Sequence, residues 1–148
     1  MRGAGFIRLV LTLVASPAYA QDVKESALYR DSMNELAHEQ HSICAAYFVV
    51  AQMCVADRKE PGLTETFKLA VTRMLQAATD FGKEANLDPR VASVRTEMEV
   101  DQMMKTISKS CSNIFLIMNE HAYPCKALAE DPTVRFRVIL QEKSKRAR

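Results

Sequence analysis

Apolar side chains recur every three or four residues along three long stretches of the chain, which is the spacing of one face of an α-helix. The pattern predicts helices over residues 23–57, 64–86 and 88–122. Pro61-Gly62 separates the first two helices, and Pro124 is expected to end the third. Helices joined by short loops pack antiparallel, so we expect an all-α, up-down-up bundle of three long helices.

The chain after Pro124 has a weaker pattern. A short helical segment is expected near residues 126–130. Between residues 134 and 138 apolar and basic side chains alternate with the period of a strand, but a short amphipathic helix is our preferred interpretation. The last residues are rich in basic groups and are expected to be disordered.

Two positions in the second predicted helix carry further information. Asn86 tolerates the left-handed conformation of a helix C-terminus, so the helix is expected to end there. Gly82 lies inside the helix, where glycine costs up to about 1 kcal/mol relative to alanine. It therefore indicates either close packing against another helix or a frayed end.

The first twenty residues have the pattern of a secretory signal peptide. Arg2 and Arg8 precede a short apolar run, and Ala18-Tyr19-Ala20 supplies small residues at a cleavage site after Ala20. The run is too short to span a bilayer, which takes about 20 residues. We therefore predict a periplasmic or secreted protein in which a bundle over residues 21–131 is followed by a basic segment over residues 132–148.

The balance of acidic and basic residues indicates which classes of partner are expected. The chain has 20 Lys and Arg and 18 Asp and Glu, and removing Arg2 and Arg8 leaves 20 − 2 = 18 of each sign. Such a balance does not support a nucleic-acid-binding surface. Basic residues near the C-terminus are candidates for docking on an anionic lipid surface, with a solvated end as the alternative: Arg135, Arg137, Lys143, Lys145, Arg146 and Arg148.

Four cysteines in an exported chain predict two disulfides. Cys44 lies about 21 residues after the start of the first helix, and Cys111 about 22 residues after the start of the third. Because these two helices are expected to be parallel, we predict the pairs Cys44–Cys111 and Cys54–Cys125. The alternative pairing would require Cys54 to reach about 15 Å down the bundle.

His38 and His41 share a helix face and are candidate metal ligands. Their spacing is one residue shorter than that of the HExxH pair of zinc proteases. The remaining histidine, His121, is expected level with Cys54, some 20 Å from His38. We therefore expect exposed histidines beside the apolar face and no bound metal or other cofactor, with a zinc or copper carrier as the alternative.

Catalytic motifs are absent from the sequence, which contains no GxSxG, no P-loop and no CxxC. The chain is therefore predicted to act by binding and not by catalysis. The expected role is that of a small helical protein of the cell envelope, an accessory, inhibitor or chaperone-like protein. Its partner is expected to be another envelope protein.

Overall fold

A computed structural model describes the backbone of residues 17–130 and the side chains of residues 27–130. This part of the chain consists of helices joined by short connections and contains no strand, so the predicted all-α class is confirmed. None of its helices has the length and apolar character needed to cross a membrane. The helices are α1 (Pro17–Asp57), α2 (Pro61–Glu84), α3 (Val91–Thr106) and α4 (Phe115–Glu130), with a 3-10 turn at Cys111–Asn113.

The longest helix, α1, lies at the centre of the domain. It contacts α2, α3 and α4 more extensively than these three contact one another. Every side chain from Gln40 to Ala51 is buried except that of Val49, which is half-buried. The cause is a run of nine apolar residues beginning at Ile43, because a helix that is apolar on all sides is buried on all sides.

The first residues of α1 differ from this buried part. The helix begins at Pro17 and not at the predicted residue 23. Pro17–Ala20 therefore form both the end of the predicted signal peptide and the start of α1, whereas residues 1–16 lie outside the described residues. Leu28 and Tyr29 are 69% and 65% exposed, so the packed part of α1 begins beyond them.

Contacts between α1 and α2 show that these helices are antiparallel. Nδ1 of His38 lies 2.8 Å from the carbonyl oxygen of Ala78. Ten residues further along α1, the ring of Phe48 stacks on that of Phe67 with 6.1 Å between centroids. The contacted position on α2 thus moves back as the position on α1 advances.

Contacts between α1 and α3 show that these helices are parallel. Nη2 of Arg95 lies 2.7 Å from Oε1 of Glu39, near the start of both packed segments. At the other end, Cys54 is bonded to Cys111, just after α3. The first three helices therefore have the predicted up-down-up arrangement.

The third helix is shorter than predicted, because the chain breaks between α3 and α4. Ser108 and Lys109 have φ values of 52° and 55°, in the left-handed region, which ends α3. The side-chain amide of Asn113 donates a hydrogen bond to the carbonyl oxygen of Ile107 at 3.2 Å and closes the turn. Ser and Asn side chains compete for backbone hydrogen bonds in this way, which disfavours a continuous helix.

Pro124 does not end the helix, contrary to the prediction. It lies inside α4, which continues to Glu130. Proline removes one backbone hydrogen bond from a helix interior. Here the residues that follow are held in the core, since Cys125 is fully buried in a disulfide and Leu128 is 2% exposed. Tertiary packing thus outweighs the local preference.

The observed ends of α2 agree only in part with the ends predicted from the sequence. The helix begins at Pro61, and the hydroxyl of Thr64, predicted to begin the helix, donates to the carbonyl oxygen of Glu60 at 3.0 Å. The prediction for Asn86 is confirmed by its φ of 58°. The backbone N–H of Leu87 donates to the carbonyl oxygen of Gly82 at 2.8 Å. This is the hydrogen bond of a Schellman-type C-terminal cap, in which Asn86 takes the left-handed position that glycine usually holds.

Candidate functional site

Two disulfides link α1 to the C-terminal half of the domain, but the predicted pairing was wrong. Cys44 is bonded to Cys125, with 5.1 Å between their Cα atoms. Cys54 is bonded to Cys111, with a Cα separation of 5.2 Å. All four cysteines are therefore paired, as expected, in the alternative arrangement that the sequence analysis had disfavoured.

The break after α3 explains this pairing. Because α3 ends at Thr106, Cys111 lies in the connection at the end of the domain where α1 also carries Cys54. The chain then reverses, and α4 runs back along α1. Cys125 follows Cys111 by fourteen residues and comes level with Cys44. Cys44 and Cys54, ten residues apart, differ in height by about 15 Å.

A groove lies between α2 and α4 on the disulfide-linked part of α1. Both helices pack on α1 but contact each other little. The groove has a volume of about 550 Å³, within the range of about 300–1,000 Å³ that small-molecule sites occupy. Its lining consists of Tyr47, Phe48, Thr66, Phe67, Leu69, Ala70, Arg73, Ala122, Lys126, Ala129 and Glu130.

The floor and walls of the groove are apolar. Tyr47 and Phe48 of α1 form the floor and are only 5% and 6% exposed. Leu69 of α2 is 59% exposed and lines one wall. Alanines at positions 70, 122 and 129 line the groove from both helices, and their short side chains leave the space between the helices open.

Burial also affects the ionisation of Tyr47 on the floor of the groove. Desolvation raises the pKa of the Tyr47 phenol above its ordinary value, because the anion would lose its hydration in this environment. The phenol is therefore neutral at neutral pH. The floor of the groove thus carries no charge.

Charged side chains lie at the rim. Arg73 on α2 and Lys126 on α4 line opposite sides of the groove, together with Glu130. Nζ of Lys126 lies 3.7 Å from Oε1 of Glu130. Among the residues that the structure describes, no carboxylate pairs with Arg73. Counted over residues 27–130, the rim therefore has an excess of one positive charge and a guanidinium group without a carboxylate partner.

The two candidate metal ligands are buried, contrary to the prediction that they are exposed. His38 and His41 are 2% and 3% exposed. Nδ1 of His38 donates to the carbonyl oxygen of Ala78 at 2.8 Å, and Nδ1 of His41 donates to that of Ala37 at 2.7 Å. Both rings thus belong to the packed interior below the groove.

The absence of a side chain at Gly82 leaves room for the His38 ring. A Cβ atom built on Gly82 would lie 3.0 Å from Nδ1 of His38, closer than ordinary van der Waals contact. Of the two alternatives for this glycine, close helix packing and a frayed end, the contact supports the first. In the described part of the chain, Nε2 of His38 is buried and has no hydrogen-bond partner.

No metal centre is formed by the side chains of residues 27–130, where no group of three or more His, Cys, Asp or Glu is arranged to hold an ion. His121 lies on α4 at the level of Tyr47, with 6.2 Å between the ring centroids, and not at the predicted level of Cys54. The reversal of α4 is the reason. The metal-carrier alternative stays a prediction without structural support.

The basic residues predicted to contact an anionic surface lie outside the described residues. These are Arg135, Arg137, Lys143, Lys145, Arg146 and Arg148. Surface docking through this segment therefore stays a prediction.

The groove itself was not predicted from the sequence. Its position depends on the reversal of α4, which the sequence analysis missed. One signal was available, because Ala122 and Ala129 are seven residues apart and so fall on one helix face. Arg73 was not distinguishable from other exposed cations before its place in the lining of the groove was known.

Together these features define a class: a disulfide-linked, all-α domain with a central helix and an apolar groove beside it. No family model, no curated protein and no solved structure matches the chain. The groove and the residues that line it are therefore the features of this domain that point to a function.

Proposed function

We propose that this chain is an exported protein of the cell envelope that acts by binding and not by catalysis, and that the groove between α2 and α4 holds the apolar part of its ligand. The single observation that carries the proposal is the groove itself, an open apolar cleft of about 550 Å³. Its volume favours a small molecule as the occupant. The envelope-protein partner expected from the sequence stays a separate prediction.

Exposed apolar surface in the groove would stabilise a bound apolar ligand. Leu69 is 59% exposed although it stands beside Phe67 at the edge of the core. An apolar chain in the groove would remove this surface from water, and each buried methylene group contributes about 0.8 kcal/mol. Several methylene groups would offset the loss of translational freedom on binding.

The disulfides support export. Cys44 and Cys125 are fully buried and bonded, and such structural disulfides persist in oxidising compartments outside the cytosol. The predicted signal peptide points to the same compartment. An envelope protein also meets apolar and amphipathic molecules, which an open apolar groove would bind.

Binding of a neutral apolar fluorophore, N-phenyl-1-naphthylamine, tests the proposal. An Ala70→Phe change would fill the groove and is expected to weaken binding about tenfold or more, equivalent to about 1.4 kcal/mol. The matched control is Thr72→Phe, on an exposed position of the same helix that does not line the groove.

The native chain and the control are expected to bind the fluorophore equally. Circular dichroism would verify that Ala70→Phe remains folded; if it does not, Leu69→Asn changes an exposed groove residue instead. Absence of fluorophore binding by the native chain, or equal binding by the control and a folded groove variant, would contradict the proposal.

A further inference from the structure

We infer that the ligand of the groove is a free, single-chain amphiphile with an anionic head group, of the class of long-chain carboxylates. This inference rests on the proposed function of the groove and adds the chemistry of its ligand. It follows from how apolar and charged side chains are distributed along the groove.

One end of the groove is aromatic. Phe48 on α1 and Phe67 on α2 stack there, with 6.1 Å between ring centroids, and Tyr47 lies beside Phe48 at 5.3 Å. These rings provide apolar surface with only a neutral phenol for polarity. An alkyl chain gains free energy from such contacts, whereas a charged group would lose its hydration there.

The other end is basic. Arg73 follows Phe67 by six residues on α2, a rise of about 9 Å. Lys126 is adjacent to Cys125, which is bonded to Cys44 below the level of Phe48. Arg73 and Lys126 therefore face the same end of the groove from its two walls.

Arg73 is the side chain expected to bind the head group of the ligand. Within residues 27–130 no carboxylate pairs with it, whereas Lys126 lies near Glu130. A guanidinium group binds a carboxylate through two parallel hydrogen bonds, a geometry that an ammonium group does not offer. A carboxylate head at Arg73 places the attached chain over Phe48 and Phe67.

The position of the site between two helices favours one free chain over a membrane surface. The groove is bounded by α2 and α4, and its floor is the buried helix α1. A lipid that remains in a bilayer would expose its head group and keep its chains away from this floor. We therefore assign the site to a free amphiphile.

Displacement of bound N-phenyl-1-naphthylamine tests the inference, with dodecanoate, dodecanol and dodecyltrimethylammonium as competitors below their aggregation concentrations. Dodecanoate is expected to displace the fluorophore at a concentration at least about fivefold lower than dodecanol. The cationic amphiphile is expected to be the weakest competitor. The preference for dodecanoate should shrink as salt is added, because salt screens an exposed ion pair.

Arg73→Gln is expected to remove the preference for dodecanoate over dodecanol, with both competitors measured on the same variant so that dodecanol is the internal reference. Lys83→Gln, on the same helix but outside the groove, is the control and should keep the preference. If Arg73→Gln lowers the helix content, Lys126→Gln provides the second test and should reduce the preference in part.

The outcomes separate the two proposals. Equal displacement by dodecanoate and dodecanol would overturn the anionic head and leave the apolar groove standing. Failure of the native chain to bind the fluorophore would overturn the groove itself. Displacement by anionic phospholipid vesicles but not by dodecanoate would show a membrane lipid as the occupant and would contradict the inference.

Discussion

The two halves of the buried part of α1 are held in different ways. Residues 34–42 bury polar side chains, among them His38 and His41, whose rings are hydrogen-bonded to backbone carbonyl groups. Residues 43–54 bury apolar side chains and carry both disulfide partners of α1. One half depends on close fit to α2, and the other depends on covalent links.

This difference explains why the groove lies beside the second half of the buried part of α1. In the first half Gly82 lets α2 approach the His38 ring so closely that an added methyl group would lie 3.0 Å from Nδ1 of that ring. In the second half the Cys44–Cys125 bond holds α4 on α1, so α2 and α4 need not pack tightly against each other. A groove can therefore stay open beside the covalently linked half.

The largest effect is expected from removing the link between α1 and α4. Replacing Cys44 and Cys125 together by alanine should lower the free energy of unfolding by about 4 kcal/mol, since the bond closes a loop of 81 residues. Urea denaturation of the oxidised protein measures this. The same variant should bind the apolar fluorophore more weakly, because α4 forms one wall of the groove.

The matched comparison is the variant that lacks Cys54 and Cys111. Its loop of 57 residues predicts a similar loss of stability in the same entropy model. However, this bond joins α1 to the connection before α4, so groove binding should be affected less. Equal loss of fluorophore binding in the two variants would contradict the assignment of Cys44–Cys125 as the bond that shapes the groove.

A smaller effect is expected in the polar half from His38→Ala. The change removes a buried ring and its hydrogen bond to the Ala78 carbonyl oxygen, and a cavity of this kind costs about 2–4 kcal/mol. The control is Glu35→Ala on the exposed side of the same helix, expected within about 0.5 kcal/mol of the native chain. Equal denaturation midpoints would show that the ring is not packed as described.

Alanine substitutions at the two glycines of α2 test whether α2 packs closely against the His38 ring. Gly82→Ala should destabilise the protein by about 1–3 kcal/mol, because the added Cβ meets the His38 ring. Gly62→Ala should be neutral or stabilising by up to about 1 kcal/mol, since a Cβ there has no neighbour within 4 Å. Thermal or urea unfolding distinguishes the two changes.

A double-mutant cycle identifies the cause of the Gly82 effect. In a His38→Ala background the added methyl group has space, so Gly82→Ala should cost little or should stabilise. A cost that is unchanged in that background would mean that the glycine is needed for another reason.

The smallest effect is expected at the ion pair between Arg95 and Glu39. Their side chains are 38% and 33% exposed, and screened pairs of this kind contribute below about 1 kcal/mol. Arg95→Gln, Glu39→Gln and the double variant form a cycle whose coupling energy should lie in this range. A coupling energy as large as the His38 effect would show that a single surface pair matters as much as the buried fit.

Much of the fold was predictable from local pattern. The helix spacing identified α1 and α2, and Asn86 marked the end of α2 because its conformation is a local property. The nine apolar residues from Ile43 also contained the information that α1 is central. The three- and four-residue spacing over residues 23–57, however, indicated a helix with one apolar face.

The site could not be derived in the same way. Ser108 and Lys109 turn the chain, but the helical spacing on either side of them suggested one continuous helix. Pro124 suggested an end where Cys125 and Leu128 hold the helix in the core. The first error concerns a local turn and the second a tertiary contact, and together they produced the wrong disulfide pairing and left the groove unpredicted.

The same limit applies to the histidines. His38 and His41 have polar neighbours in sequence, which suggested an exposed position. The burial of His38 depends on Gly82, forty-four residues away along the chain, which lets α2 approach. Gly82 was recognised as a packing signal, but the sequence did not show which side chain it accommodates.

The reversal of α4 is the central claim, because both the disulfide pairing and the groove follow from it. Cleavage of the oxidised protein at methionine tests it directly, since Met53 separates Cys44 from Cys54 and Met118 separates Cys111 from Cys125. Mass spectrometry should find fragment 34–53 joined to the fragment that begins at Asn119, and fragment 54–74 joined to fragment 105–118. Fragment 34–53 joined to fragment 105–118 would contradict the account.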